Sequence, residues 1–576
     1  MSAIKAPHQQ EMFGHPVGLY VLFFTEMWER FSYYGMRAIL VLYIYSSIED
    51  GGLGWTRGEA LELYGWYTML VYVMSIPGGV LADKLLGQKR TVMLGGLLLC
   101  AGHGILAVEA IWAFYTGLGL IILGVGCLKP NISTMVGGLY KQGDDRRDKG
   151  FTIFYIGINI GAFLSALIVG YVGENIGWHY GFGLAGIGMV LGQMVYMWGQ
   201  KYLVGVGDYL GNQDNPDKEL MKKPLTKVEK DRMVVLLLSF IIIIVFWGAF
   251  EQAGGLLNIY ANEKVNLQLG SFSVPASWFQ SVNAMFIIIF GTSVAAYWVN
   301  RKRKGKEVSS LFKMAVGTII MGSGFLMMAA AANQAGAEPF GKSAMFWLVL
   351  AYLLHTIGEL CASPVALSFI TKLAPVKYAS IMMGVYFAAT GFGNKLAGSI
   401  GESAQATPIK IELIAGKEQV LPYIMEDSLL QKDKDFNLKG NIYLTADKDV
   451  KIVNFAKEDK ASFREFIEFS KDENSDAKAV LVEMLENAAA TEANQLHATL
   501  RFSKDVEAKK VKANIGDGKN YSGVLEVFEI QNTREYNTFL FIFGLTAVFG
   551  IIIILLLKPL KRLTHGAEEL EIESAH

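Results

Sequence analysis

Seven ionisable side chains lie in stretches otherwise apolar enough for hydrocarbon. Glu26, Glu29, Arg30 and Arg37 fall in "TEMWERFSYYGMRAILVLYIY" (25–45), Lys129 in "GVGCLKPNIS" (124–133), Glu251 in "FWGAFEQAGG" (246–255) and Glu359 in "HTIGELCASPVAL" (355–367). A charge at the bilayer centre costs at least about 2.5–3.5 kcal/mol, so such groups face a partner or a wet cavity. At about 100° per residue, Glu26, Glu29, Arg30, Tyr33 and Arg37 share an arc of about 100°, and Phe23, Phe24, Phe31 and Leu40 are left for packing or lipid. Four acids face three bases, so one carboxylate lacks a cation when all are ionised, which is the place for a mobile proton. Acids close in space titrate as a set, so the proton belongs to no single one. The competing interpretation is a structural ion-pair cluster that locks helices together.

Composition sets the scaffold for these groups. The chain has 576 residues, 52% hydrophobic and 18% charged, below the roughly 25% charged of soluble domains. Apolar runs such as "MVVLLLSFIIIIVFWGAF" (233–250) and "FLFIFGLTAVFGIIIILLL" (539–557) are long enough to span a bilayer. Twelve spans are drawn: 17–47, 60–82, 91–110, 113–137, 150–172 and 180–202, then 233–260, 275–299, 310–332, 342–372, 377–400 and 535–558. The fold class expected is an all-α polytopic membrane protein. Net charge is −1, which gives no reason to expect a nucleic-acid partner. The three cysteines lie in apolar segments, which argues against a disulfide framework. The eight histidines do not cluster, so no metal and no cofactor are expected.

Lys and Arg collect in the loops after even-numbered spans, as in 201–232 and "NRKRKGKE" near 300, and are sparse after odd-numbered ones. The basic loops mark the cytoplasmic side, so both termini are expected there. The organisation read from this is a six-helix bundle (1–202), a cytoplasmic linker (203–232), helices seven to eleven (233–403), an insertion (404–533), and helix twelve with a cytoplasmic tail (534–576). The insertion is polar. "IKIELI" (409–414), "VKIVNF" (450–455) and "GVLEVFEI" (523–530) read as strands and 459–491 as helix. An α+β domain outside the cytoplasm is expected, with an unknown extracytoplasmic partner as one role for it.

In "GGVLADKLLGQKRTVMLGG" (78–96), Asp83 and a basic run ending at Arg90 join the second and third spans. This resembles the loop signature of the major facilitator superfamily, which implies a role for Asp83 and Arg90 in conformational change. "EMWERFSYYG" (26–35) and "FYIGINIGAF" (154–163) are similar to the ExxERFxYYG and FYxxINxG signatures of the proton-dependent oligopeptide transporter family. "GCLKPN" (126–131), "FEQ" (250–252), "QSVN" (280–283) and "GELCASP" (358–364) fall in the expected spans. The resemblance covers roughly 15–400 and 535–558.

That resemblance implies a bacterial-type di- and tripeptide symporter of the inner membrane, driven by protons and working by alternating access. It implies proton coupling by Glu26, Glu29, Arg30 and Glu251. The peptide carboxylate would meet Arg30 and Lys129, helped by Tyr34 and Asn159, and its amino group Glu359 and Asn283. Tyr33, Tyr72, Tyr155, Trp278 and Ser363 would line the pocket. Gating ion pairs would join Arg37 to Glu251 and Lys129 to Glu359. Two departures stand out. Gly65 occupies the place of the second-span histidine of vertebrate members, and 203–232 leaves no room for the helical pair that many bacterial members insert. Other readings are a carrier for another small anionic or zwitterionic solute, such as nitrate or an amino-acid derivative, and a receptor acting through 404–533. No constellation of an enzyme is present.

Overall fold

The computed structural model describes residues 10–405 apart from 49, 141–143, 145, 210–223, 305–307, 336–341 and 376–378, then strands between 435 and 531, then 534–566. The first group of long helices is α1 (Val17–Tyr45), α2 (Arg57–Val73), α3 (Gln88–Leu106), α4 (Ile111–Gly138), α5 (Arg146–Asn175) and α6 (Trp178–Trp198). The second is α7 (Lys227–Phe250), α8 (Phe279–Arg303), α9 (Ser310–Ala335), α10 (Met345–Leu373), α11 (Ala379–Ala404) and α12 (Arg534–Leu555). Each overlaps one expected span. Among the described residues, nine helices are long and apolar enough to cross a membrane, and α1, α3 and α11 are not among them. In α1 the four charges interrupt the apolar run.

Local chemistry sets several boundaries. Thr56 with Glu59 starts α2, and Thr226 with Glu229 starts α7, each as a reciprocal capping box. After Met74, α2 continues as Ser75–Leu81 and a π turn, Ala82–Leu86, and ends at Gly87, whose φ of +76° suits glycine. α7 breaks near its end: a 3₁₀ turn (Glu251–Ala253) leads through Gly254 and Gly255 into a further segment, Leu256–Lys264. The sequence pattern predicted one helix through 233–260. Two adjacent glycines, poor helix formers, account for the interruption.

One apolar core takes Leu19, Ile39, Leu99, Leu128, Val169 and Phe182 from the first group of helices. Two others take Phe325, Leu348 and Phe539, and Val235, Ile243 and Phe369, from the second. The groups meet where α2 lies along α11 and α5 along α8. Small residues permit the tightest contacts within a group. A Cβ on Gly78 would stand 2.0 Å from the Gly126 carbonyl oxygen, whereas one on Gly79 would meet nothing within 4 Å. Gly78→Ala is therefore expected to lower stability by about 1–3 kcal/mol, the usual cost of overpacking. Gly79→Ala should be near neutral. Thermal melting of the two purified variants tests the pair.

Between 435 and 531 the described strands form an antiparallel sheet in the order Lys510–Val511, Gln495–Asp505, Asp435–Leu444, Val450–Lys457, Phe466–Glu468, Glu529–Gln531. The strand expected at 450–455 is present. Of the one expected at 523–530, Gly523–Leu525 and Glu529–Gln531 are strands, and the residues between them lie outside the described ones. The helix expected over 459–491 is corrected at Phe466–Glu468, which pair on both edges as a strand. The rest of that stretch, apart from this strand, and all of 409–414 lie outside the described residues.

Candidate functional site

The charges on α1 do point together. Arg30 Nε lies 2.8 Å from Glu26 Oε1 and 2.7 Å from Glu29 Oε2, and all three side chains are buried. Two carboxylates thus share one guanidinium, and the surplus acid of the sequence count sits here. Glu26 Oε2, Glu29 Oε1 and Arg30 Nη2 have no hydrogen-bond partner, and Glu29 Oε2 is held by the ion pair alone. Buried polar groups left this way are the exception in folded proteins and call for a functional reason.

Two turns along α1, Arg37 Nη1 donates to Glu251 Oε1 at 2.8 Å, and Tyr64 of α2 donates its hydroxyl to the same oxygen at 2.6 Å. This ties the two helix groups together at the point where α7 breaks. The Tyr34 ring lies beneath both guanidinium groups, 5.7 Å from Arg30 Cζ and 5.0 Å from Arg37 Cζ. Tyr33 is buried at 2% exposed, edge-on to the Tyr34 ring, while Tyr155 of α5 is open at 44%.

The second expected gating pair is not formed. Lys129 makes no ion pair among the described residues. Its Nζ stands 3.7 Å over the Tyr72 ring, a contact of the kind that holds a cation without neutralising it. On the facing wall, Glu359 Oε2 accepts from Asn283 Nδ2 at 2.9 Å, and Asn283 also donates to Thr356. Tyr72 lies within electrostatic reach of Arg30, Arg37, Glu251 and Glu359, so these groups share one region of the interior.

Other expected residues are placed elsewhere. Asn159 Nδ2 bonds the Tyr155 carbonyl of its own helix. Trp278 Nε1 donates to the Leu167 carbonyl at 2.9 Å, which puts the indole in the α5–α8 seam rather than on a free wall. Ser363 Oγ is buried without a partner, beside a small apolar cavity that Trp247 and Tyr386 also line. Asp83 and Arg90 are both exposed, and it is Lys89 that reaches across, to the Leu203 carbonyl and to Asp208 at 3.9 Å.

Three features went unread in the sequence. Tyr64 is one; its signal was the aromatic run of α2. A second is Arg57 on Glu263 at 2.7 Å, next to Asn262 donating to Tyr45. The third is the Ala38 carbonyl, which accepts from both Asn258 and Gln280 across the groups. All of these cross-links lie toward the end of the bundle that carries the 46–56 turn.

A family model described as PTR2, POT family, matches residues 89–206 and 215–418. The chain belongs to the POT family. It is 39% identical over 440 residues to a Bacillus subtilis protein named Uncharacterized transporter YclF, covering 67% of this chain and 87% of that one. It is 35% identical over 461 residues to a Di-/tripeptide transporter of Lactococcus lactis subsp. cremoris, covering 70% and 91%. A crystal structure of a POT family transporter in complex with a thioalcohol conjugated peptide matches with a TM-score of 0.64 and 31% identity, over 69% of this chain and 92% of that one. Membership agrees with the family signatures on α1 and α5. The family model's match ends at residue 418, before the strands between 435 and 531.

Proposed function

We propose that this POT family member is a proton-coupled symporter importing di- and tripeptides across an inner membrane by alternating access. Twelve helices cross the bilayer in two six-helix groups, both termini are cytoplasmic, and residues 404–533 form a domain on the outer side. The single observation that carries the reading is the asymmetry of the chamber. Arg37, Glu251 and Tyr64 are locked across the helix groups, while Lys129 and Glu359 stand unpaired with each other on opposite walls.

That arrangement fits the fixed ends of a short peptide. A zwitterionic peptide has a carboxylate at one end and an ammonium at the other, with side chains that vary between. Lys129 and Arg30 meet the carboxylate, and Glu359 with Asn283 meets the ammonium. Tyr34, Tyr72 and Tyr155 provide an adaptable wall, so that a few polar groups fix orientation and the remainder tolerate variety. Counting the four acids and three bases, the empty chamber carries one net negative charge. Binding a neutral zwitterion and one proton brings it to zero, and that neutrality couples the two cargoes. On this reading the contacts of Arg37, Tyr64 and Glu251 hold the outer end closed.

Uptake into proteoliposomes under an imposed inward pH gradient tests this. Labelled dipeptide should accumulate above its equilibrium level, and unlabelled tripeptide should compete. Nitrate and single amino acids should not. Lys129→Ala and Glu359→Gln should each weaken peptide competition by about tenfold or more, the scale of one charged hydrogen bond. Competition by nitrate with none by peptide would replace peptide by another anion as cargo. Absence of gradient-driven uptake would remove the symporter reading.

A further inference from the structure

Glu174 sits in the last turn of α5, where the sequence shows only an acid near a helix end. In the fold it crosses the seam to the other helix group. Its Oε2 accepts the Ala276 backbone N–H at 2.8 Å, and its Oε1 accepts the Ser277 N–H at 2.9 Å and the Ser277 hydroxyl. Ala276–Trp278 is the 3₁₀ turn that begins α8. The first N–H groups of a helix have no partner within it, and a cap is normally supplied by a residue of the same segment. Here the cap comes from α5.

The surrounding seam depends on the same approach. Trp278 Nε1 donates to the Leu167 carbonyl, and Ser281 Oγ donates to the Phe163 carbonyl at 2.8 Å. Gly170 leaves the space that Ser277 fills, since a Cβ there would lie 2.1 Å from Ser277 Oγ. α5 therefore offers backbone carbonyls along one face and a carboxylate at its end, and the start of α8 supplies the matching donors. No other inter-group contact at this end uses a carboxylate to hold a helix terminus among the described residues.

We infer that Glu174 is the outer latch of the transport cycle, a positioning residue that holds the closed outer mouth and must release α8 before the chamber opens outward. The inference rests on the alternating-access reading. It assigns to α5 and α8 a closure separate from the Arg37–Glu251 lock. Release costs the carboxylate three donors at once and leaves the α8 terminus to water, so the latch biases the cycle toward the state seen.

The test places spin labels at Ile48 and Leu269, which are exposed on opposite groups at this end, in the full chain with Cys100, Cys127 and Cys361 replaced. Pulsed electron–electron distances are compared for the parent, Glu174→Ala and Ser277→Ala. Glu174→Ala should raise the long-distance, outward-open population by about tenfold, the scale of a charged hydrogen bond lost. Ser277→Ala should raise it by a smaller factor in the same direction. An unchanged distribution in either folded variant, with only a lower melting temperature, would make Glu174 an ordinary helix cap and overturn the latch. Gradient-driven uptake by the parent in the same vesicles reports on the symporter reading separately, so the two failures are told apart.

Discussion

Glu29→Gln is expected to abolish accumulation of peptide driven by a pH gradient while leaving counterflow exchange within a few-fold of the parent. The expectation comes from the place of the surplus acid. Glu26 and Glu29 both bear on Arg30 Nε, in a pocket where neither side chain is exposed to solvent. One cation cannot balance two carboxylates, and their mutual repulsion at this range is worth a few kcal/mol even at the effective dielectric of a protein, about 20. A proton resolves the imbalance. The amide keeps shape and one acceptor but neither gains nor loses that proton, so the variant is fixed in the neutral form. Exchange of peptide for peptide needs no change of protonation and survives. Radiolabel uptake with and without a gradient, beside counterflow in the same vesicles, separates the two. Accumulation by Glu29→Gln against a peptide gradient would remove Glu29 from the coupling.

Glu251→Gln is expected to cut transport by about a hundredfold through a different route. Its carboxylate holds Arg37 and Tyr64 on one oxygen, between helices of the two groups. Leaving a buried charge without its partner costs about 3–5 kcal/mol. On the alternating-access reading proposed above, that cost falls on the outer-closed state, the one in which α1, α2 and α7 meet. The chamber then spends its time open to the outside, and cargo is bound but not delivered. A charge exchange, Arg37→Glu with Glu251→Arg, should recover part of the loss, because the pair matters by its complementarity. Reactivity of an added cysteine in the chamber toward an impermeant thiol reagent measures the shift. Normal delivery by Glu251→Gln, or an unchanged labelling rate, would remove this pair from the gate.

Periodicity accounts for most of the structure that was legible in the sequence. The shared face of Glu26, Glu29 and Arg30 comes from the angular step of a helix, and the structure keeps it. The strand expected at 450–455 was visible through its alternation, whereas Phe466–Glu468 is too short to outweigh the helical look of its surroundings. Pairing across the helix groups was a different matter. Arg37 with Glu251 was reached through family resemblance, since residues 214 positions apart carry no local signal. Lys129 and Glu359 were expected to pair and do not, because a carrier has more than one arrangement of its halves and a linear pattern cannot say which one is populated. Tyr64 escaped notice because a phenol in an apolar helix has no charge to explain. Glu174 escaped because an acid at a helix end resembles an ordinary solvated residue until the neighbouring helix is in place.

The break in α7 has a mechanical consequence. Because the rod is severed at Glu251–Gly255, the nine residues from Leu256 to Lys264 take a direction of their own: Leu256, Leu257 and Tyr260 seat them in the core of the second bundle, while Asn258 donates to the Ala38 carbonyl of α1. The polar ties to the first group thus bear on a short piece of helix, offset from the shaft behind it.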